Sequence, residues 1–228
     1  MDRTKETVRE RVKEYTTVYT GGTGEITEKK SRFIATIRPV ESEEQAVAFI
    51  EEMKKKYWNA SHNCSAFIVG ERGELTRCSD DGEPGGTAGR PMLDTLAGAG
   101  LCNVCAVVTR YFGGTLLGTG GLVRAYTAAV QEGLGRCVLV HKKLGYKKKA
   151  VCDYADVGKV QYRMAQEGIA QLHTEYTDRV TVHMLLPVDE AQAFEKRLTE
   201  ATAGRVALET EGETYFGLAG EEVLLFER

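Results

Sequence analysis

The side chains with the clearest chemical potential lie between Cys78 and Tyr126, a segment that holds eleven of the chain's 25 glycines. It opens with an acidic cluster, Asp80, Asp81 and Glu83. Carboxylates this close could hold Mg²⁺ beside a phosphate, or perform acid–base chemistry, because neighbouring like charges push pKa values apart. The alternative, which we favour, is a solvated turn whose aspartates accept backbone N–H bonds. We therefore expect no bound metal ion and no cofactor.

Two glycine-rich turns, the first at residues 80–87 and the second at residues 113–121, are candidates for binding an anion. Each precedes a predicted helix, whose N-terminus would present unpaired N–H groups and a positive potential. Nearby arginines suit bidentate phosphate contacts. The candidate phosphate-binding residues are Gly85, Gly86, Thr87, Arg90, Arg110, Gly113, Gly114, Thr115, Gly118, Gly120, Gly121 and Arg124. Close packing of helices on a sheet would explain the glycines equally well.

The second glycine-rich turn is not a standard nucleotide-binding motif. Gly113 and Gly118 have the spacing of a P-loop, but Thr119 follows where lysine is required. ATP hydrolysis by a P-loop is therefore not expected.

His62 and Cys64 would share one face of a predicted strand, which suggests a thiol nucleophile beside a base. His62 could also serve as a general base for the acidic cluster. A buried thiol and a structural histidine explain the pair better. The other histidines show no ligand-like spacing along the chain: His141, His173 and His183.

Composition narrows the class of protein. Apolar residues make up 42% and charged residues 28%, an ordinary globular balance. The net charge of −3 argues against a general attraction to nucleic acid or anionic membrane, so an RNA-binding surface would have to be a local patch. No apolar run approaches the ~20 residues that span a bilayer, and the charged N-terminus lacks a signal peptide's apolar core. We expect a cytoplasmic protein without a membrane partner.

Hydrophobic periodicity supplies the elements that must position these residues. It predicts, in the first part of the chain, strands at 15–20 and 25–40, a helix at 42–57, a strand at 62–69, a helix near 88–97, a buried strand at 103–112 and a helix near 120–134. The glycines at 21–24 predict a hairpin turn between the first two strands.

The pattern restarts after a seam near residue 140. From there it predicts the order β-α-β-β-α-β, the split ferredoxin-like motif, with a hairpin turn at Thr177 and Asp178. The basic run Lys142–Lys149 at the seam could touch phosphates, although most such runs are only solvated. We expect an N-terminal extension at 1–14, a first domain at 15–140, a linker at 141–145 and a second domain at 146–228.

Several of these motifs resemble the signature of the YigZ/IMPACT family. The resemblance is carried by Ser31-Arg32-Phe33, residues 62–66, residues 80–91, residues 109–114 and Arg124-Ala125-Tyr126. It covers residues 15–140 strongly, and the part after Gly145 looks like the smaller C-terminal domain of the bacterial members.

The resemblance implies an α+β protein with two domains. The first would be of the ribosomal protein S5 domain 2-like type, a mixed sheet with helices on one face, and the second a ferredoxin-like domain. Eukaryotic members regulate translation by competing for a protein activator of a stress kinase, and the usual suggestion for the family is association with nucleic acid or ribosomes. The motif residues carried over are Arg32, His62, Asp80, Asp81, Glu83, Arg90, Arg110, Thr115 and Arg124.

Three functions remain open. The first is a non-catalytic, translation-associated protein that contacts RNA, the ribosome or another phosphate-bearing ligand through the glycine-rich turns. The second is a Mg²⁺-dependent enzyme on a phosphorylated or nucleic-acid substrate, in which Asp80, Asp81 or Glu83 holds the metal and His62 is the base. The third is a protein-interaction module that regulates translation, which the mildly acidic pI fits better than it fits the first.

Overall fold

A computed structural model of the chain describes residues 11–219 and 222–226, and eleven strands and five helices lie in this part. Residues 15–141 form one compact unit, and residues 11–14 group with those from 142 onwards in a second. Residues 1–10 of the expected N-terminal extension lie outside the described residues. None of the described helices is long and apolar enough to cross a membrane.

The first unit is built on a five-stranded antiparallel sheet in the order β2-β3-β6-β4-β5. The elements in chain order are β1 (Glu14–Thr20), β2 (Gly22–Glu28), β3 (Ser31–Pro39), α1 (Glu43–Lys56), β4 (His62–Val69), β5 (Leu75–Ser79), α2 (Gly89–Gly98), β6 (Val104–Tyr111), α3 (Thr119–Leu134) and β7 (Val138–Cys152). β1 pairs with β7 rather than with this sheet.

Strand β6 is the centre of that sheet and is buried on both faces, as its apolar run predicts. Ala106 and Val108 belong to the core that α2 and α3 cover, whereas Cys105 and Val107 belong to a second core with Phe49 of α1. Since alternate residues of a strand face opposite sides, helices cover both faces of this sheet. The resemblance had implied helices on one face; α1 differs because its own apolar stripe needs burial.

The hairpin turn lies at Lys29 and Lys30, which have positive φ angles of 44° and 65°, and not at residues 21–24 as predicted. This two-residue loop splits the expected strand 25–40 into β2 and β3. The nearby glycines serve packing instead. A Cβ on Gly22 or Gly24 would lie 2.6 Å from backbone atoms at the end of α3, so their absence of side chains lets the helix approach.

The second unit has the predicted ferredoxin-like order, and its strands align as β10-β7-β9-β8 with β11 beside β10. Its further elements are α4 (Val157–Gln166), β8 (Ala170–Tyr176), β9 (Val180–Pro187), α5 (Ala191–Ala201), β10 (Ala207–Ala219) and β11 (Glu222–Phe226). Val160 of α4 and Phe194 of α5 pack on Val182 and Met184 of β9, which covers one face. Residues 141–145, expected as a linker, lie inside β7, and residues 143–145 pair with β10.

Candidate functional site

Asp80 fills the anion-binding position of the first glycine-rich turn. Its carboxylate accepts N–H bonds from Gly86 at 2.8 Å, Ala88 at 3.0 Å and Gly89 at 2.8 Å. Burial alone would raise the pKa of Asp80, but the three bonds outweigh it and hold that pKa below its usual value. The N–H groups that the sequence analysis assigned to a phosphate as one alternative thus already bond to the Asp80 carboxylate.

Thr87 and Gly85 do not complete an anion site in this turn. The Thr87 hydroxyl is part-buried and donates to the Pro84 carbonyl at 2.7 Å, so this hydroxyl is already engaged within the turn. Gly85 is exposed with no atom within 4 Å of a would-be Cβ. The first turn is therefore a self-capped loop, which agrees with the favoured interpretation of its aspartates.

Glu83 of the same turn is buried in a polar network. Its Oε1 accepts from Arg110 Nη1 at 2.6 Å and from the Tyr126 hydroxyl at 2.8 Å. Arg110 stands near the end of β6 and Tyr126 lies within α3. Because β6 leads into the second glycine-rich turn and α3 follows it, Glu83 ties the first turn to both elements around the second. The two turns therefore lie together in space.

Arg110 is a buried structural partner in this arrangement. Its Nη2 lies 3.4 Å from Ser31 Oγ, and its guanidinium lies over the rings of Phe33 and Phe112. Within the described residues its Nε has no hydrogen-bond partner. Since Glu83 neutralises the guanidinium, the phosphate contact predicted for Arg110 is not available here.

His62 and Cys64 of β4 border this network. His62 Nδ1 lies 2.9 Å from the Asp81 carbonyl, so Nδ1 carries the hydrogen and Nε2 faces Glu83 Oε1 at 3.9 Å. Cys64 Sγ lies 3.3 Å from the Tyr126 hydroxyl, and burial raises the pKa of this thiol to about 12. A thiol that stays protonated is a poor nucleophile, which supports the structural interpretation of Cys64.

The carboxylates of the acidic cluster have separate partners. Asp81 accepts from the Asn63 backbone N–H at 2.7 Å and lies 3.4 Å from Lys54 Nζ. Asp80 and Glu83 are occupied as described above. In the part of the chain that the structure describes, the three carboxylates do not form a group with metal-binding spacing. The Mg²⁺ hypothesis therefore lacks a shared ligand set.

The second glycine-rich turn differs from the first, because no described side chain bonds to the N–H groups of the helix that follows it. Helix α3 begins after Gly118, which has a φ of 74° and supplies no capping side chain. A Cβ on Gly114 or Gly118 would meet no atom within 4 Å, and Thr115 and Gly120 are exposed. Among the described residues no side chain bonds to the first N–H groups of α3. This N-terminus is available to an external anion.

Gly113 has a different task from the other glycines of that turn. A Cβ at this position would lie 2.0 Å from the Lys30 carbonyl carbon, and its N–H donates to Ser31 Oγ at 3.1 Å. It thus serves close packing, the alternative that the sequence left open. Gly121 is intermediate, with a would-be Cβ 3.0 Å from Leu117 Cβ.

Arg124 is the candidate arginine that stands at the open helix end. It is exposed, and its Nη1 lies 3.6 Å from where a Cβ on Gly120 would be. It has no hydrogen bond or ion pair within the described residues. Arg90 is also exposed, but it pairs with Asp94 at 2.8 Å, and Arg32 pairs with Glu25 at 2.6 Å. The structure thus brings Arg124, and not Arg90, to an uncapped N-terminus.

The basic run Lys142–Lys149 is partly neutralised. Lys148 pairs with Glu195, and Lys149 pairs with Glu209 at 2.9 Å. The Lys142 ammonium lies 3.9 Å from the centre of the Phe226 ring. Most of this run therefore has partners inside the second unit.

Tyr126 and Ser31 are members of the network that the residue types alone did not identify as site residues. Tyr126 lies on the buried stripe of α3 with Leu122 and Ala129. A tyrosine in such a stripe needs a partner for its hydroxyl, and this is the signal that could have revealed it.

Comparisons with known proteins match both units. Residues 29–134 match the model of the Impact N-terminal domain, a span that holds the whole site, and residues 151–205 match a domain of unknown function, DUF1949. The IMPACT family member YvyE of Bacillus subtilis is 42% identical over 84% of this chain and 88% of its own length. The IMPACT family member YigZ of Escherichia coli is 35% identical over 79% of this chain and 89% of its own.

A eukaryotic relative and a solved structure also match this chain. A protein IMPACT homolog of Dictyostelium discoideum is 41% identical over 45% of this chain and 30% of its own length. A solved structure described as a hypothetical protein is 31% identical, with a TM-score of 0.56 over 87% of this chain and 97% of that one.

Proposed function

This chain belongs to the IMPACT family, and we propose that it is a non-catalytic, translation-associated binding protein that contacts RNA phosphates through its second glycine-rich turn. The observation that carries the proposal is the exposed Arg124, which has no partner among the described residues, beside the N-terminus of α3, which no described side chain caps. On this proposal the protein acts in the cytoplasm, where ribosomes and messenger RNA are found.

The electrostatics of α3 support an external anion. A cation near a helix N-terminus is unfavourable by ~0.3–1 kcal/mol, because it meets the positive end of the helix dipole. At α2 the equivalent position holds the carboxylate of Asp80. At α3 no side chain of the described residues supplies such a group. A phosphate oxygen between Arg124 and the N–H groups would satisfy both.

Phe112 adds a surface on which a base could stack. Its ring is 49% exposed and lies just before the second glycine-rich turn. The buried guanidinium of Arg110 lies over one face of this ring, 5.6 Å from its centre. Exposed aromatic rings next to backbone-binding groups are typical of single-stranded RNA recognition. Such a local patch is compatible with the net charge of −3.

The experiment is RNA binding measured by fluorescence anisotropy over a range of salt concentrations. A short labelled single-stranded RNA is titrated with wild type, Arg124→Ala and the control Arg90→Ala. We expect the plot of log affinity against log salt for Arg124→Ala to be shallower by about 0.7, the value for one lost phosphate contact on a single strand. Arg90→Ala should keep the wild-type slope. Equal slopes in all three proteins would overturn the proposal.

A protein partner is the second candidate, and a specific observation favours it. Leu116 of the second glycine-rich turn is 82% exposed and Val123 of α3 is partly exposed, so the patch has apolar character. The family also includes eukaryotic IMPACT proteins. Capture of a translation protein that survives nuclease and is lost in Leu116→Ser would favour this candidate over RNA. The Mg²⁺-dependent enzyme is supported less, because its carboxylates have separate partners.

A further inference from the structure

Three side chains of types that can bind a metal ion lie together in the second unit, on the sheet face that α4 and α5 leave uncovered. His173 on β8 is the register partner of His183 on β9, and Glu175 is two residues further along β8. Val182 and Met184 point towards α4 and α5, so His183 between them points the other way. Glu175 Oε1 lies 3.5 Å from His173 Nε2 and 3.7 Å from His183 Nε2.

These separations are close to those around a tetrahedral ion. With Zn–N and Zn–O distances of about 2.0–2.2 Å, neighbouring ligand atoms stand about 3.3–3.6 Å apart. The two imidazole rings are stacked, with centres 4.0 Å apart and planes at 12°. Binding therefore requires one ring to tilt so that both lone pairs converge. His173 is exposed and can turn without disturbing the core.

His183 is prepared to act as a ligand. Its Nδ1 lies 3.2 Å from Glu211 Oε2 and donates to it, which leaves the lone pair on Nε2. The side chain is only 12% exposed, and in the described part of the chain Nε2 is buried without a hydrogen-bond partner. An unpaired buried nitrogen is costly, and a metal ion would satisfy it.

Two irregularities in strand pairing border the cluster. The register between β10 and β7 shifts between Thr210 and Gly212, which makes Glu211 the extra residue. The register between β8 and β9 shifts between Gln171 and His173. Bulges re-aim side chains and are common beside functional sites. One of them thus places the Glu211 carboxylate beside His183, and the other directly precedes His173.

The surrounding charge favours a dication. Lys149 on β7 is the register partner of His183, and its Nζ pairs with Glu209 at 2.9 Å. The carboxylates of Glu175, Glu209 and Glu211 thus outnumber this one ammonium around His183, which favours a bound dication.

We propose that His173, Glu175 and His183 bind a divalent transition-metal ion of the Zn²⁺ class, with a fourth position open to solvent. Imidazole nitrogens with one carboxylate suit Zn²⁺ and its neighbours, whereas Mg²⁺ and Ca²⁺ prefer oxygen ligands alone. Three protein ligands with an open position would let the ion hold water or a further ligand. The site is independent of the second glycine-rich turn.

The test is calorimetric titration of the full chain with Zn²⁺ under reducing conditions. We expect one equivalent to bind, and His173→Ala and Glu175→Gln each to weaken binding at least about tenfold. Both residues are exposed, so these variants should fold. His141→Ala and Asp178→Asn, a histidine and a carboxylate outside the cluster, are the matched controls and should bind as wild type. Unchanged affinity in both site variants would overturn the proposal.

Co²⁺ spectroscopy distinguishes this site from the cysteines. Exposed Cys78 is the competing ligand. Cobalt on nitrogen and oxygen ligands shows visible bands without the intense near-ultraviolet thiolate charge-transfer band. Visible bands that disappear in His173→Ala support the proposal, and a strong thiolate band in wild type contradicts it.

Discussion

Removal of Arg110 tests whether the buried network is structural. Arg110→Ala leaves the Glu83 carboxylate, only 3% exposed, with the Tyr126 hydroxyl as its close hydrogen-bond donor. Loss of one partner from a buried ion pair costs about 3–5 kcal/mol, because the remaining charge stays desolvated. An exposed pair is worth ~0–1 kcal/mol. We therefore expect Arg110→Ala to lower the free energy of unfolding by ~3–5 kcal/mol.

The measurement is urea unfolding followed by circular dichroism, with Arg90→Ala as the exposed-pair control. Arg90 and Asp94 form an i,i+4 pair at the surface, so this control should lose less than about 1 kcal/mol. A third variant combines Arg110→Met with Glu83→Gln. It removes both charges and should be more stable than Arg110→Ala alone. The reasoning is refuted if Arg110→Ala costs no more than Arg90→Ala, or if the combined variant is the least stable.

Three further predictions concern the same unit. The pKa of Asp80 is depressed in the folded state, so its carboxylate stabilises the fold fully above the unfolded pKa of ~3.9 and loses this effect as pH falls through the lower folded pKa. The difference in free energy of unfolding between wild type and Asp80→Asn, measured by urea unfolding from pH 7 to pH 2, should therefore become smaller below about pH 4. A difference that stays constant with pH would contradict this. Gly113→Ala should cost at least ~1–3 kcal/mol in urea unfolding, because its Cβ would lie 2.0 Å from a backbone carbon, whereas Gly98→Ala has open space and should cost nothing. Limited alkylation read by mass spectrometry should modify exposed Cys78 and spare Cys64, whose thiol pKa of about 12 keeps it protonated; equal modification would show that Cys64 is accessible.

Arg110 shows what the sequence could and could not predict about the site. The apolar run of β6 correctly predicts a strand buried on both faces. Alternation then places Arg110 on the same face as Ala106 and Val108, towards the core under α2 and α3. A charge there must have a partner, but that partner, Glu83, is 27 residues away. Only the folded turn brings it into contact, so residue type alone suggested a phosphate ligand.

The histidine cluster forms because the loop between β8 and β9 is one residue longer than the sequence predicted. A two-residue turn at Thr177 and Asp178 would pair His173 with Val182, on the helix-covered side. In the structure Tyr176 pairs with Val180, so the loop has three residues and His173 faces His183. Because a one-residue slip moves every side chain to the other face, spacing along the chain could not reveal the cluster. The order of the strands and helices in this unit was predicted correctly.

The difference in occupation between the two helix N-termini could be predicted only in part from the sequence. Both glycine-rich turns precede a helix, but only the first contains acidic residues, and the favoured interpretation of its aspartates was that they accept backbone N–H bonds. The difference lies in the path of residues 80–89, which folds the Asp80 carboxylate back onto its own helix. The second turn has no acidic residue between Gly113 and Gly121 that could do the same. This difference in composition is present in the sequence, but only the fold shows that the Asp80 carboxylate bonds to the N-terminus of α2 and that no described side chain does the same at α3.

The central claim is that a ligand phosphate occupies the N-terminus of α3, and Gly120→Ala tests it most directly. A Cβ at Gly120 would meet only the Arg124 side chain, at 3.6 Å, so the fold tolerates it. Gly158, likewise the second residue of its helix and surrounded by open space, is the matched control. Alanine should keep or raise stability in both variants, by up to ~1 kcal/mol. We expect Gly120→Ala to bind single-stranded RNA more weakly by about tenfold, or ~1.4 kcal/mol, while Gly158→Ala binds as wild type. Equal RNA affinity in the two variants would contradict the claim.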